Sequence, residues 1–198
     1  EFLPILEELG LVVPVGNWVL EQACNQMKTW TDMYSRVTKI GINVSPIQLK
    51  SPEFVKDVED ILKKTGLNPS FLEIEITENV IQYNQDLKEV LIPLQNLGIK
   101  VAMDDFGTCY SSLSHLRYLP INTLKIDKSF IDDLDQIGKV LVETIIQMGE
   151  KLGLNIVVEG IETEEQLQFI IEKGCQVGQG FIFYEPQLPE KMYNILTS

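Results

Sequence analysis

Two adjacent carboxylates, Asp104 and Asp105, follow the apolar run Val101-Ala102-Met103 and lead into Phe106, Gly107 and the polar stretch Thr108 to Ser112. Strands buried on both faces read as near-continuous apolar runs and present their polar chemistry at their carboxyl ends. An Asp pair at such an end is a place to hold a metal ion. Other apolar runs close in the same way, with Asn43, Glu75, Lys125 and Asp127, Glu159, and Gln179 at or near their ends. Taken singly, Asn43 reads as a turn residue, Glu75 as a satisfied strand-end carboxylate and Lys125 as the partner of a neighbouring acid. Taken together, Asn43, Glu75, Asp104 and Asp105 are four oxygen donors of the hard kind that suits Mg²⁺ or Mn²⁺.

The elements that must position these residues alternate along the chain. Strand-like runs are predicted at Thr38 to Val44, Phe71 to Thr77, Lys100 to Phe106, Thr123 to Asp127, Asn155 to Gly160 and Gly178 to Tyr184. Between them lie amphipathic helix patterns, which together make βα units and a parallel sheet. Ser51-Pro52-Glu53 opens a helix with Phe54, Val55, Val58, Ile61 and Leu62 on its apolar face and a stop at Gly66. Val140, Leu141, Ile145, Met148 and Leu152 form a second apolar face ended by Gly153. Thr163-Glu164-Glu165-Gln166 reads as a capping box for a helix ended by Gly174. Pro93 is expected to kink or shorten another helix. An N-terminal helix from about Gly16 to Met33 is expected to bury Trp18, Leu20 and Trp30. A polar residue at every strand end favours a barrel, in which those residues converge on one mouth, over an open sheet.

The 198 residues, 44 % of them apolar, suffice for one substantial core, and a single domain over residues 1–198 is expected. With 16 basic and 29 acidic residues the net charge is −13, which repels DNA and anionic lipid unless bound cations reverse the field locally. Three widely spaced cysteines, Cys24, Cys109 and Cys175, imply reduced thiols and a cytoplasmic setting. No signal peptide and no apolar run of about 18 residues or more is present, so no membrane contact is expected within this segment. The chain begins with Glu1 and reads as a piece of something longer, whose parent can carry a membrane anchor of its own.

Asn43-Val44-Ser45, Glu73-Ile74-Glu75-Ile76-Thr77-Glu78, DDFGTCYSSL at 104 to 113, LKID at 124 to 127, EGIET at 159 to 163 and GQGF at 178 to 181 resemble, in order and spacing, the EAL family. Phe2-Leu3-Pro4 with Glu7 and Gly10 resembles the helix after that family's signature strand, so the resemblance covers essentially the whole chain. It implies a modified TIM-type (β/α)8 barrel that hydrolyses cyclic di-GMP to linear pGpG with two divalent cations, Mg²⁺ or Mn²⁺. On the family's pattern Asn43, Glu75 and Asp104 are ligands of the first metal, Asp104 bridges, and Asp105 and Glu159 hold the second. Lys125 matches the lysine that touches the attacking water, and Glu159 is also a general base. Gln179 matches a glutamine at the site, Asp127 and Glu162 match supporting acids, and Glu78 matches the anchor of the loop after the Asp pair. These roles agree with two-metal chemistry, in which cations about 3.5–4 Å apart activate water and stabilise the attacking and leaving oxygens.

Other signals weigh less. Asp105-Phe106-Gly107 is a kinase-like triplet without a Gly-rich loop or HRD sequence, and Asn43-Val44-Ser45 is a glycosylation sequon at a buried strand end. His115 is the only histidine, which excludes His-rich metal sites and the HD-GYP route to the same substrate. Cys109 stands where the family has glycine, in a loop that couples the metals to dimerisation. The Glu-Ala-Leu strand itself, with its glutamate ligand and a substrate-contacting arginine, belongs before Phe2. The expected fold therefore lacks about two N-terminal strands, and a homodimer across the gap is one way to cover the open edges. For this chain alone the expectation is weak or no phosphodiesterase activity, and for the parent, with a regulatory domain, full activity. The alternatives are a catalytically silent EAL-like module that binds cyclic di-GMP or a protein, and, more distantly, a metal-dependent barrel enzyme acting on an enolisable acid through Lys125.

Overall fold

The computed structural model describes residues 3–34, 37–83, 86–108, 116, 118–132 and 134–197. Cys109 and His115, and the motif residues from 109 to 113, lie outside the described residues. The chain divides into two compact units. The first holds residues 1–76, 80–101 and 189–198; the second holds 77–79 and 102–188.

In the first unit α1 (Leu3–Glu8) precedes the long α2 (Val12–Met33). Pro14 falls in the first turn of α2, where a missing N–H costs nothing. Strand β1 (Ile40–Asn43) is followed by the short α3 (Pro46–Leu49) and by α4 (Phe54–Thr65), which Gly66 closes at φ +68. Ser45 and Gln48 form a full capping box on α3. Strand β2 (Leu72–Thr77) runs parallel to β1, with Ile42 opposite Ile74 and Asn43 opposite Glu75. Helices α5 (Val80–Tyr83), α6 (Leu87–Asn96) and, near the C-terminus, α10 (Pro189–Thr197) complete the unit. Helix α6 passes through Pro93 and ends three residues later.

The core of this unit joins Leu20, Cys24 and Met27 of α2 to Phe54, Val58, Ile61 and Leu62 of α4. Asn17 Nδ2 donates to Asp57 Oδ2 at 2.7 Å and Lys64 pairs with Glu21 at 2.7 Å across the same helix pair. Trp18 departs from expectation, being 63 % exposed. The buried stripe Leu20, Cys24, Met27 has helical spacing, and Trp18 lies off it.

In the second unit β3 (Lys100–Phe106), which starts in the first unit, β4 (Thr123–Ile126), β5 (Asn155–Val158) and β6 (Val177–Gly178) carry the strands. All pair in parallel, β3 with β4, β4 with β5 and β5 with β6. Between them lie α7 (Ser129–Asp132), α8 (Gln136–Lys151) and α9 (Glu164–Glu172). The Thr163–Gln166 capping box forms as expected, and Gln166 Nε2 also donates to Ile131 O at 3.0 Å.

Two expectations fail in this unit. The face of α8 that packs is Val142, Ile146 and Gly149, while Val140, Leu141 and Leu152 are exposed. Gly149 decides it, because a Cβ there would stand 2.1 Å from Ile156 Cδ1 of β5. The last strand stops at Gly178 instead of reaching Tyr184. A Cβ at Gly180 would stand 2.0 Å from Ile161 O, and the chain turns at once, with Phe183 N donating to Gly180 O and Ile182 N to Ile161 O at 3.1 Å each.

Candidate metal centre

Parallel strands deliver the polar residues of the second unit. Asp104 and Asp105 sit near the end of β3, where the register against β4 shifts between Met103 and Phe106. Consecutive strand residues normally point to opposite faces. Here Asp105 adopts φ +53, the one non-glycine residue with positive φ among the described residues, and the alternation breaks. Ligand atoms of Asp104, Asp105 and Glu159 consequently lie within 4.8 Å of one another.

Lys125 on β4 is 5 % exposed and serves two of these acids. Its Nζ lies 2.8 Å from Glu159 Oε1 and 3.0 Å from Asp104 Oδ1. The contact to Asp104 is an ion pair without hydrogen-bond geometry, so Asp104 Oδ1 is a buried acceptor with no hydrogen bond. Burial pushes the Asp105 carboxyl above its ordinary value; the Asp104 and Asp127 carboxylates push it further, and Lys125 opposes them. Among the described residues, one ammonium faces three carboxylates, which leaves the cluster short of positive charge. Three hard oxygen ligands and excess negative charge fit a divalent cation.

The turn after the Asp pair is held by Glu78, itself 2 % exposed. Glu78 Oε2 accepts from Gly107 N at 3.0 Å, and Glu78 N donates to Asp104 O at 3.2 Å. Asp127 follows β4 and accepts from Ser129 N at 3.0 Å, which starts α7. Glu162 is exposed, with Lys128 Nζ 3.5 Å away. Gln179 is exposed as well; its backbone is tied to Val158 O and Ile161 N. The structure thus brings Asp104, Asp105, Lys125 and Glu159 together and places Glu78 directly behind them, while the ion pair of Glu162 and the backbone bonds of Gln179 go to residues outside the cluster.

In the first unit Asn43 and Glu75 are register partners, and Val44 N donates to Glu75 O at 2.9 Å. Sequence reasoning missed Gly41. A Cβ there would fall 2.1 Å from Glu75 Oε1, so the missing side chain is what seats the Glu75 carboxylate. A lone glycine inside a strand is the signal that a close approach is needed.

The parallel strands and a carboxylate cluster at their ends define an α/β domain with a candidate metal site. The EAL domain family profile matches residues 1–186, and the chain belongs to that family. Signaling protein YkoW of Bacillus subtilis is 42 % identical over 194 residues, which are 96 % of this chain and 24 % of YkoW. The bifunctional diguanylate cyclase/cyclic di-GMP phosphodiesterase MucR of Pseudomonas aeruginosa is 39 % identical, over 97 % of this chain and 28 % of its own length. The chain therefore spans about a quarter of these relatives. The solved structure of PaMucR phosphodiesterase in complex with c-di-GMP matches with a TM-score of 0.92 at 39 % identity, over 96 % of this chain and 78 % of that one. The fold is accordingly that of EAL structures, six parallel strands with their helices forming part of a (β/α)8 barrel. No helix among the described residues is long and apolar enough to cross a membrane.

Proposed function

We propose that the protein carrying this chain hydrolyses cyclic di-GMP to linear pGpG, with Asp104, Asp105 and Glu159 holding Mg²⁺ or Mn²⁺. The observation that carries the reading is the convergence of these three carboxylates, two of them paired with Lys125. It is supported by membership of a family in which a 39 % identical relative is named a cyclic di-GMP phosphodiesterase. Bound divalent cations would supply Lewis-acid charge and a more acidic water.

The chain's own residues have distinct tasks in this reading. On the family's pattern Asp104 would be a ligand common to both ions, and Asn43 and Glu75 would supply further oxygen ligands. Glu159 takes a proton from the water that attacks phosphorus, and as the P–O3′ bond breaks the departing O3′ takes a proton from solvent, leaving a 3′-hydroxyl and a 5′-phosphate. Lys125, buried and already cationic, steadies the charge that builds on the phosphoryl oxygens. Glu78 fixes the turn that carries Asp105; Asp127, Glu162 and Gln179 support the site or the substrate. A regulatory domain elsewhere in the parent, a homodimer and a cytoplasmic setting belong to the same proposal, with no DNA partner.

Incubation of the purified protein with cyclic di-GMP and Mn²⁺ or Mg²⁺, followed by chromatography, tests it. Accumulation of pGpG that stops on chelation is expected. Saturable binding of cyclic di-GMP by calorimetry with no pGpG formed would overturn hydrolysis and establish a receptor.

A further inference from the structure

We propose that Phe130 is a positioning residue for the Asp104–Asp105 turn, acting through ring contact with Gly107; this rests on the metal-centre reading above. Gly107 has φ +95, and a Cβ built on it would stand 2.5 Å from Phe130 Cζ and 2.7 Å from Cε2. The ring therefore fills the space that any other residue at 107 would need. From the chain's other neighbour, Glu78 Oε2 accepts the Gly107 N–H at 3.0 Å. Thr108 closes the turn onto Asp105, its N and Oγ1 lying 3.3 and 2.8 Å from Asp105 O. A glycine on its own is free to wander over φ/ψ space. Here it is held by one hydrogen bond and one aromatic ring, next to an aspartate whose left-handed backbone needs outside support.

Phe130 is well placed to give that support. It lies on α7, five residues after Lys125, and its N donates to Asp127 O at 3.1 Å while Asp127 Oδ1 accepts from Ser129 N at 3.0 Å. The segment that follows the lysine strand thus sets the position of the ring, and the ring sets the turn after the Asp pair. The lysine and the carboxylates are located by one piece of structure.

Mn²⁺ titration by calorimetry, run beside thermal unfolding of the metal-free protein, tests the assignment. Phe130→Ala and Phe130→Leu are expected to weaken Mn²⁺ binding by about 10-fold or more, the range found when groups that orient metal ligands are removed. Turnover at saturating Mn²⁺ should recover toward wild type, with KM for nucleotide little changed. Gly107→Ala should weaken Mn²⁺ binding on its own, and by less in the Phe130→Ala background, where the new methyl has room. Phe130→Leu keeps an apolar side chain and covers the case in which the alanine variant does not fold. Unchanged Mn²⁺ affinity in Phe130→Leu, or full additivity of the Gly107 and Phe130 substitutions, would overturn the proposal. A wild-type protein that takes up no Mn²⁺ would instead overturn the metal reading, and Phe130's role with it.

Discussion

Lys125 Nζ lies 2.8 Å from Glu159 Oε1, joining adjacent strands β4 and β5 with a charge pair that is almost closed to solvent. The same ammonium is 3.0 Å from Asp104 Oδ1 on β3. One cation thus bridges three neighbouring strands. Such a pair repays its desolvation only when each charge keeps its partner, and removing one partner is costly.

Lys125→Met tests that dependence. It removes the ammonium that pairs with buried Asp104 and half-buried Glu159, at a cost of about 3–5 kcal/mol. The metal-free thermal midpoint should fall clearly. Addition of Mn²⁺ should raise the midpoint of the variant more than that of the wild type, since the cation replaces the missing charge. Turnover should drop about 100-fold or more. Calorimetric scans with and without Mn²⁺ check both effects.

Glu159→Gln keeps the shape and removes the proton acceptor. Formation of pGpG should fall about 10²- to 10⁴-fold, the usual contribution of general acid–base catalysis. The fold should persist, because Lys125 retains Asp104. A variant that turns over at the wild-type rate would remove Glu159 from its assigned role.

Gly41→Ala displaces the Glu75 carboxylate, because the new methyl would sit 2.1 Å from Oε1. The clash is with the end of a flexible side chain, so the strand pair survives and the carboxylate moves. Turnover is expected to fall about 10- to 100-fold, as when a ligand loses its support. In that background Glu75→Asp should cost much less than it costs alone. A double-mutant cycle on activity measures the coupling.

Cys24 predicts a pH dependence. Its thiol is fully buried on α2, and burial pushes its pKa from 9.0 up to about 11. Between those values the unfolded chain has released the proton and the folded chain has kept it. Stability from this group is complete below pH 9 and is lost as pH rises toward 11, amounting to about 2–3 kcal/mol in full. Cys24→Ala starts less stable for want of the buried sulfur, and the gap to wild type should narrow over that range. Urea midpoints at successive pH values show it.

Strands β2 and β3 are legible in the sequence almost to the residue, because Leu72, Ile74 and Ile76 alternate with polar residues and Val101 to Met103 run apolar into the Asp pair. The convergence of Asp104, Asp105, Lys125 and Glu159 follows from their places at strand ends. The failures have a common cause: the answer lies in a tertiary contact. Helix α8 carries apolar residues on more than one stripe, and only the close approach of Gly149 to Ile156 selects Val142 and Ile146 as the inner one. Gly178 to Tyr184 has strand composition, yet Gly180 abuts the Ile161 backbone and turns the chain. Hydrophobicity alone points Trp18 to the core, whereas helical phase puts it outside. Gly41 and Phe130 matter through neighbours more than 20 residues away in sequence, which no local pattern records.

At position 105 the backbone and the chemistry ask for the same residue. A φ of +53 is free to glycine, costs asparagine and aspartate less than other side chains, and penalises bulky or β-branched ones most. Of those three, aspartate alone carries a negative charge. Glutamate would keep the charge and lose the short side chain that tolerates this conformation; asparagine would keep the conformation and lose the charge. Replacement of Asp105 is therefore opposed by folding and, in the proposed metal centre, by the need for its charge; Asp105→Asn is the substitution that separates the two demands.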